Sequence, residues 1–311
     1  MPVEILHESM RRIASEDATP EQLGEGYGGP TGPTEGPVWI REKNHLLFSD
    51  IHGDRRMRWT PGEGVTVDKQ GTADGNGQTR DRQGRLVVCH HFSRCVDREE
   101  ADGSITVIAD GYRGLKLNRP NDVVVKSDGA IYFTDPPPRP PLTPPDHVAE
   151  LDCAGVYRVS PDLKHINRVV SSFVNPNGLC FSPDEKILYI NDSNIHRKLI
   201  MAYDVEANGM LDLGSERLFC DMRGDDRRGI PDGMKCDIEG NVYCTGPGGI
   251  WVINPQGVHI GTILSDNIPV NMNWGDDDWR TLYFAGAFTI NRIRLGIPGV
   301  PVPRGDIQPS G

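Results

Sequence analysis

Six times along the chain, a polar residue opens a short strand that leads through a turn into a second strand. The openers are Glu35-Gly36, Asn76-Gly77, Asn121-Asp122, Asn177-Gly178, Asp232-Gly233 and Asn271-Met272. They are spaced by 41, 45, 56, 55 and 39 residues. Repeats of this length, each reading strand–turn–strand, predict an all-β, six-bladed β-propeller around a central channel. The fullest copy is 231–245, which begins Pro231-Asp-Gly-Met-Lys-Cys236. In such a ring the openers face one another across the channel. Glu35, Asn121, Asn177 and Asp232 then form one circle of oxygen donors.

Composition agrees with many short strands and tight turns. The chain has 311 residues, of which 36 are glycine and 25 proline, and 37% are hydrophobic. A closed ring of repeats makes 1–311 one domain. The net charge of −11 argues against a nucleic-acid surface, which needs a basic field. No apolar run approaches the ~20 residues of a membrane helix, and no charged-then-apolar leader opens the chain. We therefore expect a cytoplasmic protein with a small-molecule partner and no membrane or nucleic-acid partner, its oligomeric state open. The seven cysteines are an odd number without a CxxC pair, so they are expected to be reduced core thiols.

Outside the repeats, residues 1–30 form an N-terminal extension. Leu6, Met10 and Ile13 stand at helical spacing, so this stretch reads as a short amphipathic helix or as a strand that closes the ring. After the third hairpin comes a run with seven prolines in ten residues, 136–145. It cannot join a sheet ladder. The loop 136–150 leaves a channel-lining strand and is expected to hang over the channel mouth as a lid or wall, or else to be a surface spacer. Residues 297–311 read as a loose tail. Asp50, Asp135 and Asp192 end inner hairpins and are expected to be buried acceptors that tie blades together. The five tryptophans are expected to pack between strands.

Two carboxylates and two amide oxygens on one ring suit a hard divalent cation, calcium or magnesium; the lack of His and Cys disfavours zinc. A buried, unpaired carboxylate is costly, and a cation is the simplest compensation. Each opener taken singly is an ordinary turn former; the signal is their coincidence. A cation held in this way could polarise an ester carbonyl and acidify water. His91 is a candidate general base at neutral pH; the alternative is that, of His90 and His91, one is packed in the core and the other exposed.

Glu35-Gly-Pro-Val-Trp39, Arg119-Pro-Asn-Asp122, Asn177-Gly-Leu-Cys-Phe-Ser-Pro-Asp184 and Pro231-Asp-Gly233 together resemble the gluconolactonase/regucalcin (senescence marker protein)/luciferin-regenerating-enzyme family, over roughly residues 30–295. The resemblance implies a six-bladed propeller with one divalent cation in the channel, and a lactonase. It implies that Glu35, Asn177 and Asp232 are metal ligands, with Asn121 at or near metal and substrate. It also implies that Asp232 is the first choice for general base and that Arg119 contacts the substrate. Cys89-His-His-Phe-Ser-Arg94 looks like the Cys-x-His-x-x-Arg stretch of bacterial gluconolactonase-like members, which adds Arg94 as a substrate contact. The ion expected first is Ca2+, with Mg2+, Mn2+ or Zn2+ as alternatives. Where such relatives continue past Thr134-Asp135-Pro136-Pro137 with Tyr-Gly, this chain has its proline run, so the lactone is left open. Alternatives are an arylesterase or phosphotriesterase on the same site, and a non-catalytic calcium-binding propeller.

Overall fold

The computed structural model describes residues 2–140 and 142–304. Each of the six expected repeats is an antiparallel sheet whose strands run outward from the axis in chain order. The innermost strands are Thr34–Ile40, Gly75–Arg80, Val123–Val125, Pro176–Phe181, Met234–Cys236 and Pro269–Gly275. The second strands are His45–Asp50, Leu86–His90, Ile131–Asp135, Ile187–Asp192, Val242–Gly246 and Thr281–Gly286. Eleven of these twelve carry buried apolar side chains, as a strand packed between neighbouring blades requires, while Gly75–Arg80 is buried without any. All five tryptophans are buried in this packing. Trp39 of blade one stacks on Tyr283 of blade six at 5.2 Å between ring centroids, across the seam where the ring closes.

The glycine after an opener answers to the next blade. A Cβ on Gly36 would lie 2.3 Å from the carbonyl oxygen of Asn76, and one on Gly178 would lie 2.0 Å from that of Asp232. No larger side chain fits where adjacent inner strands approach this closely. The ladder register also slips at the start of four inner strands, between Glu35 and Val38, Gly75 and Gln78, Pro176 and Leu179, and Pro269 and Asn271. Such bulges re-aim side chains, and here the residues they re-aim are the openers. Side chains of the second strands fix the openers' carbonyls across the blade gap. Ser49 Oγ donates to Asn76 O and Thr134 Oγ1 to Asn177 O, both at 2.8 Å, and Asn191 Nδ2 donates to Asp232 O.

The N-terminal extension takes on both expected characters. Glu8–Arg12 is a single 3-10 turn with Met10 buried. Glu21–Glu25 pairs antiparallel with Thr289–Arg294 as the outermost strand of blade six, which closes the ring with sequence from both ends. Val3–Ile5 adds a fifth strand to blade five.

The tail departs from expectation. Residues 297–304 are not loose: Ile297 is buried, Gly299 N–H donates to Trp279 O, and Val300 N–H donates to Cys236 O. Arg304 Nε lies 3.2 Å from Glu185 Oε1. This segment covers the end of the channel opposite the openers' mouth, where it meets Lys235 and Cys236. Proline density argued for looseness, but apolar Ile297 and Val300 find a groove to fill. The remainder of the expected tail, 305–311, lies outside the described residues. All seven cysteines are free, six of them buried. Among the described residues no helix is long and apolar enough to cross a membrane.

Candidate active site at the channel mouth

The openers of the first five blades meet in one pocket of about 60 Å³. Its lining includes Glu35, Asn76, Asn121, Asn177 and Asp232, together with His91, Arg119 and Ser193. Residues 41 to 197 positions apart are thus brought together by the strand starts alone. The proline-rich loop reaches this mouth as expected: Arg139 and Leu142 line the pocket, and Arg119 Nε lies 3.4 Å from Pro137 O.

The site is crowded with buried carboxylates. Burial, then the charge of Asp122, pushes Glu35 up to about 7, against the pull of the Gly36 N–H, the Asn271 amide and Lys235. Burial followed by Glu35 and Asp122 holds Asp232 well above the usual carboxylate range. Asp122 is raised as well, by burial. The cations nearby are Lys235, whose ammonium is 4.0 Å from Asp122 Oδ2, the pocket-lining Arg139, and Arg119, which burial and Arg139 push down to about 10. The three carboxylates are raised in spite of these cations, so their compensation in the buried channel is incomplete.

The oxygen atoms themselves point the same way. Asp232 Oδ1 and Asn177 Oδ1 are buried without a hydrogen-bond partner, which is expensive unless something else meets them. Hard oxygen donors with unspent lone pairs, next to uncompensated negative charge, fit a divalent cation. Among the described residues no group of three or more His, Cys, Asp or Glu side chains forms a metal cluster. A set of two carboxylates and two amides is outside that chemistry.

Not every expected site residue behaves as anticipated. His91 is 2% exposed and lines the pocket. Its Nε2 faces two donors, Asn76 Nδ2 at 2.5 Å and Arg119 Nη1 at 3.3 Å, so the free proton sits on Nδ1. Burial and the adjacent Arg119 hold it well below the ordinary histidine value. The lone pair of this ring thus already accepts from two donors, one of them Arg119. Arg94 is not part of the pocket lining. It donates to Leu117 O at 2.6 Å and to Glu150 Oε1 at 3.3 Å, which ties the loop before blade three to the proline-rich loop. The three hairpin-ending aspartates are the acceptors they were expected to be. Asp135 accepts from the N–H groups of Asn118 and Arg119, Asp192 from those of Val174 and Asn175, and Asp50 from those of Gly28 and Gly53. Asp135 thereby fixes the backbone of Arg119.

Three residues that sequence reasoning passed over belong to the channel. Asp122 follows the opener Asn121, where four of the other repeats have glycine and the sixth has Met272. Lys235 stands as a lone cation between Met234 and Cys236 in a strand that is otherwise apolar, which was the available signal. Asn271, the opener of the sixth repeat, donates from Nδ2 to Glu35 Oε2.

Comparison with known proteins shows the family and the fold. Residues 33–288 match the model of the SMP-30/Gluconolactonase/LRE-like region. The chain is 30% identical over 280 residues to a gluconolactonase of Zymomonas mobilis, spanning 84% of this chain and 78% of that one. It is 28% identical over 292 residues to a regucalcin of Danio rerio, spanning 86% and 92%. Among solved structures it is similar to a gluconolactonase from Xanthomonas campestris, with a TM-score of 0.85, 32% identity and 95% of each chain covered.

Proposed function

The chain belongs to the SMP-30/gluconolactonase/LRE-like family, and on that premise we propose that it is a hydrolase that opens lactones at the channel mouth. The observation that carries the reading is the unpartnered pair Asp232 Oδ1 and Asn177 Oδ1, in a pocket that also holds Glu35, Asn121 and Arg119. Glu35, Asn177 and Asp232, with Asn121 beside them, would hold one divalent cation, Ca2+ first. When bound, such an ion supplies Lewis acidity toward a carbonyl oxygen and compensates the channel's negative charge.

The chain's own residues do the rest. Asp232 is the general base: its oxygen without a hydrogen-bond partner is among the atoms of the pocket, where a carboxylate can take a proton from water. It takes the proton of the attacking water as the water oxygen bonds to the acyl carbon. The ring C–O bond then breaks, and the proton passes to the departing alkoxide, leaving a hydroxy acid. Arg119 donates hydrogen bonds to the substrate's oxygens, held in place by the Asp135-anchored backbone and by His91 Nε2. Asn121 positions the ring through its amide.

Acid release from δ-gluconolactone, followed before and after chelation and after return of calcium, magnesium, manganese or zinc, tests the reading. Hydrolysis should vanish with chelator and return with at least one ion; hydrolysis indifferent to chelator contradicts the role of the cation.

A further inference from the structure

The small inner pocket opens into a larger one. The outer cavity measures about 350 Å³, against about 60 Å³ inside, and the two share Arg139, Asn175, Ser193 and Ile230. Its wall is apolar: Pro137, Pro138, Val174, Ile195 and Ile230. Val174 and Ile195 are 46% and 65% exposed, so two branched aliphatic side chains face water beside a reaction site.

Arg139 brings a guanidinium to the rim that the two cavities share, while Asn175 and Ser193 largely satisfy one another. Asn175 Nδ2 donates to Ser193 Oγ, and Ser193 Oγ donates in turn to Asn175 O. Asn175 N–H is held by Asp192, and Asn194 Oδ1 accepts from His196 N–H. A polyhydroxylated substrate needs open donors and acceptors to replace its water, and groups that satisfy one another offer few. An alkyl or aryl group needs only the apolar wall.

We propose that the preferred substrates are lactones carrying an apolar substituent, the ring in the inner pocket and the substituent on the wall of Val174, Ile195 and Ile230. This rests on the lactonase reading and narrows it away from sugar lactones. The chemistry is unchanged: water adds to the acyl carbon, the ring C–O bond breaks and a hydroxy acid with an apolar tail leaves. The proline-rich loop contributes Pro137 and Pro138 as a rigid side of the cavity, at low entropic cost because the ring fixes φ.

The test is kcat/KM for γ-lactones with side chains of none to six carbons, alongside δ-gluconolactone. The expected result is a rise of roughly three- to fourfold per methylene over the first several carbons, and a flattened slope in a Val174→Ser/Ile195→Ser variant. Hydrolysis of δ-gluconolactone with no dependence on side-chain length overturns the proposal and leaves the lactonase intact. If no lactone is hydrolysed, the lactonase reading itself fails. Binding of γ-lactams bearing the same side chains, measured by calorimetry, then still decides the wall: affinity that rises with chain length supports it, and affinity that does not overturns it.

Discussion

Asn271 Nδ2 donates a hydrogen bond to Glu35 Oε2 at 2.8 Å, joining the openers of the sixth and first repeats across 236 positions of sequence. The same amide turns its oxygen to Met272 N–H, so its orientation is fixed and its NH2 group faces the carboxylates of Glu35 and Asp122. With Gly36 N–H also on Oε2, Glu35 presents its other oxygen to the channel. Partners of this kind orient ligands and tune what they hold. Asn271→Leu should weaken divalent-ion binding roughly 10- to 100-fold while the urea midpoint falls only modestly. Calorimetric titration with calcium checks this, and unchanged affinity would remove Asn271 from the site.

Asp232→Asn keeps the size of the side chain and removes the base. Turnover of the best lactone should fall about 10²- to 10⁴-fold, with the folded state retained as judged by circular dichroism. A variant within a few-fold of the parent would move the base elsewhere.

His91 is assigned a propping role, which differs measurably from catalysis. His91→Phe removes the acceptor that meets Arg119 Nη1 and should raise KM more than it lowers kcat, the sign of lost positioning in the bound ground state. A fall in kcat of about 10²-fold or more with unchanged KM would restore His91 as a proton carrier.

Stability should also titrate at a place remote from the channel. His259 stacks on Trp251 at 3.6 Å between centroids, and its Nε2 bonds Gly261 O and Thr262 Oγ1. Burial, which outweighs the Gly261 bond and Glu4, lowers it to about 4; Arg227 lowers it too, and Asp225 opposes. A depressed histidine contributes stability that is present above its unfolded value near 6.5 and lost as pH falls toward 4, because the unfolded chain binds the proton first. His259 is partly open to solvent, so the effect is on the order of 1–2 kcal/mol. The difference in urea midpoint between the parent and His259→Gln should shrink between pH 7.5 and pH 4.5. A constant difference would show that His259 titrates normally.

Much of the fold was legible because its signals are local. Period-two apolar stripes, turn glycines and a polar opener recur within each repeat, and close approach of neighbouring strands demands the glycine at Gly36 and Gly178. The carboxylate–amide set was legible for the same reason, since every repeat starts at the same height in the ring. What was less legible depends on partners distant in sequence. A strand closing the ring was one of two readings of residues 1–30, but which residues form it, Glu21–Glu25, and the second strand Val3–Ile5 on blade five are set by the free edges of blades six and five. The donors that meet His91, Asn76 and Arg119, could not be read from the histidine's place in the sequence. Arg94 lay close in sequence to His91, yet the strand that begins at Cys95 carries it toward Leu117 and Glu150.

Packing of the C-terminal segment carries its own prediction. Deleting 298–311 removes the bonds from Gly299 and Val300 to Trp279 and Cys236 and the Arg304–Glu185 pair. The urea midpoint should drop by an amount equivalent to about 2–4 kcal/mol. A loose tail would leave the midpoint where it was.

The central claim is that Glu35, Asn177 and Asp232 hold a single divalent ion. Calcium titration by calorimetry, on chelator-treated parent and on Asp232→Asn, tests it most directly. The account predicts one ion per chain in the parent and a loss of affinity of at least about 100-fold in the variant. No saturable binding in the parent, or equal affinity in both proteins, would contradict it.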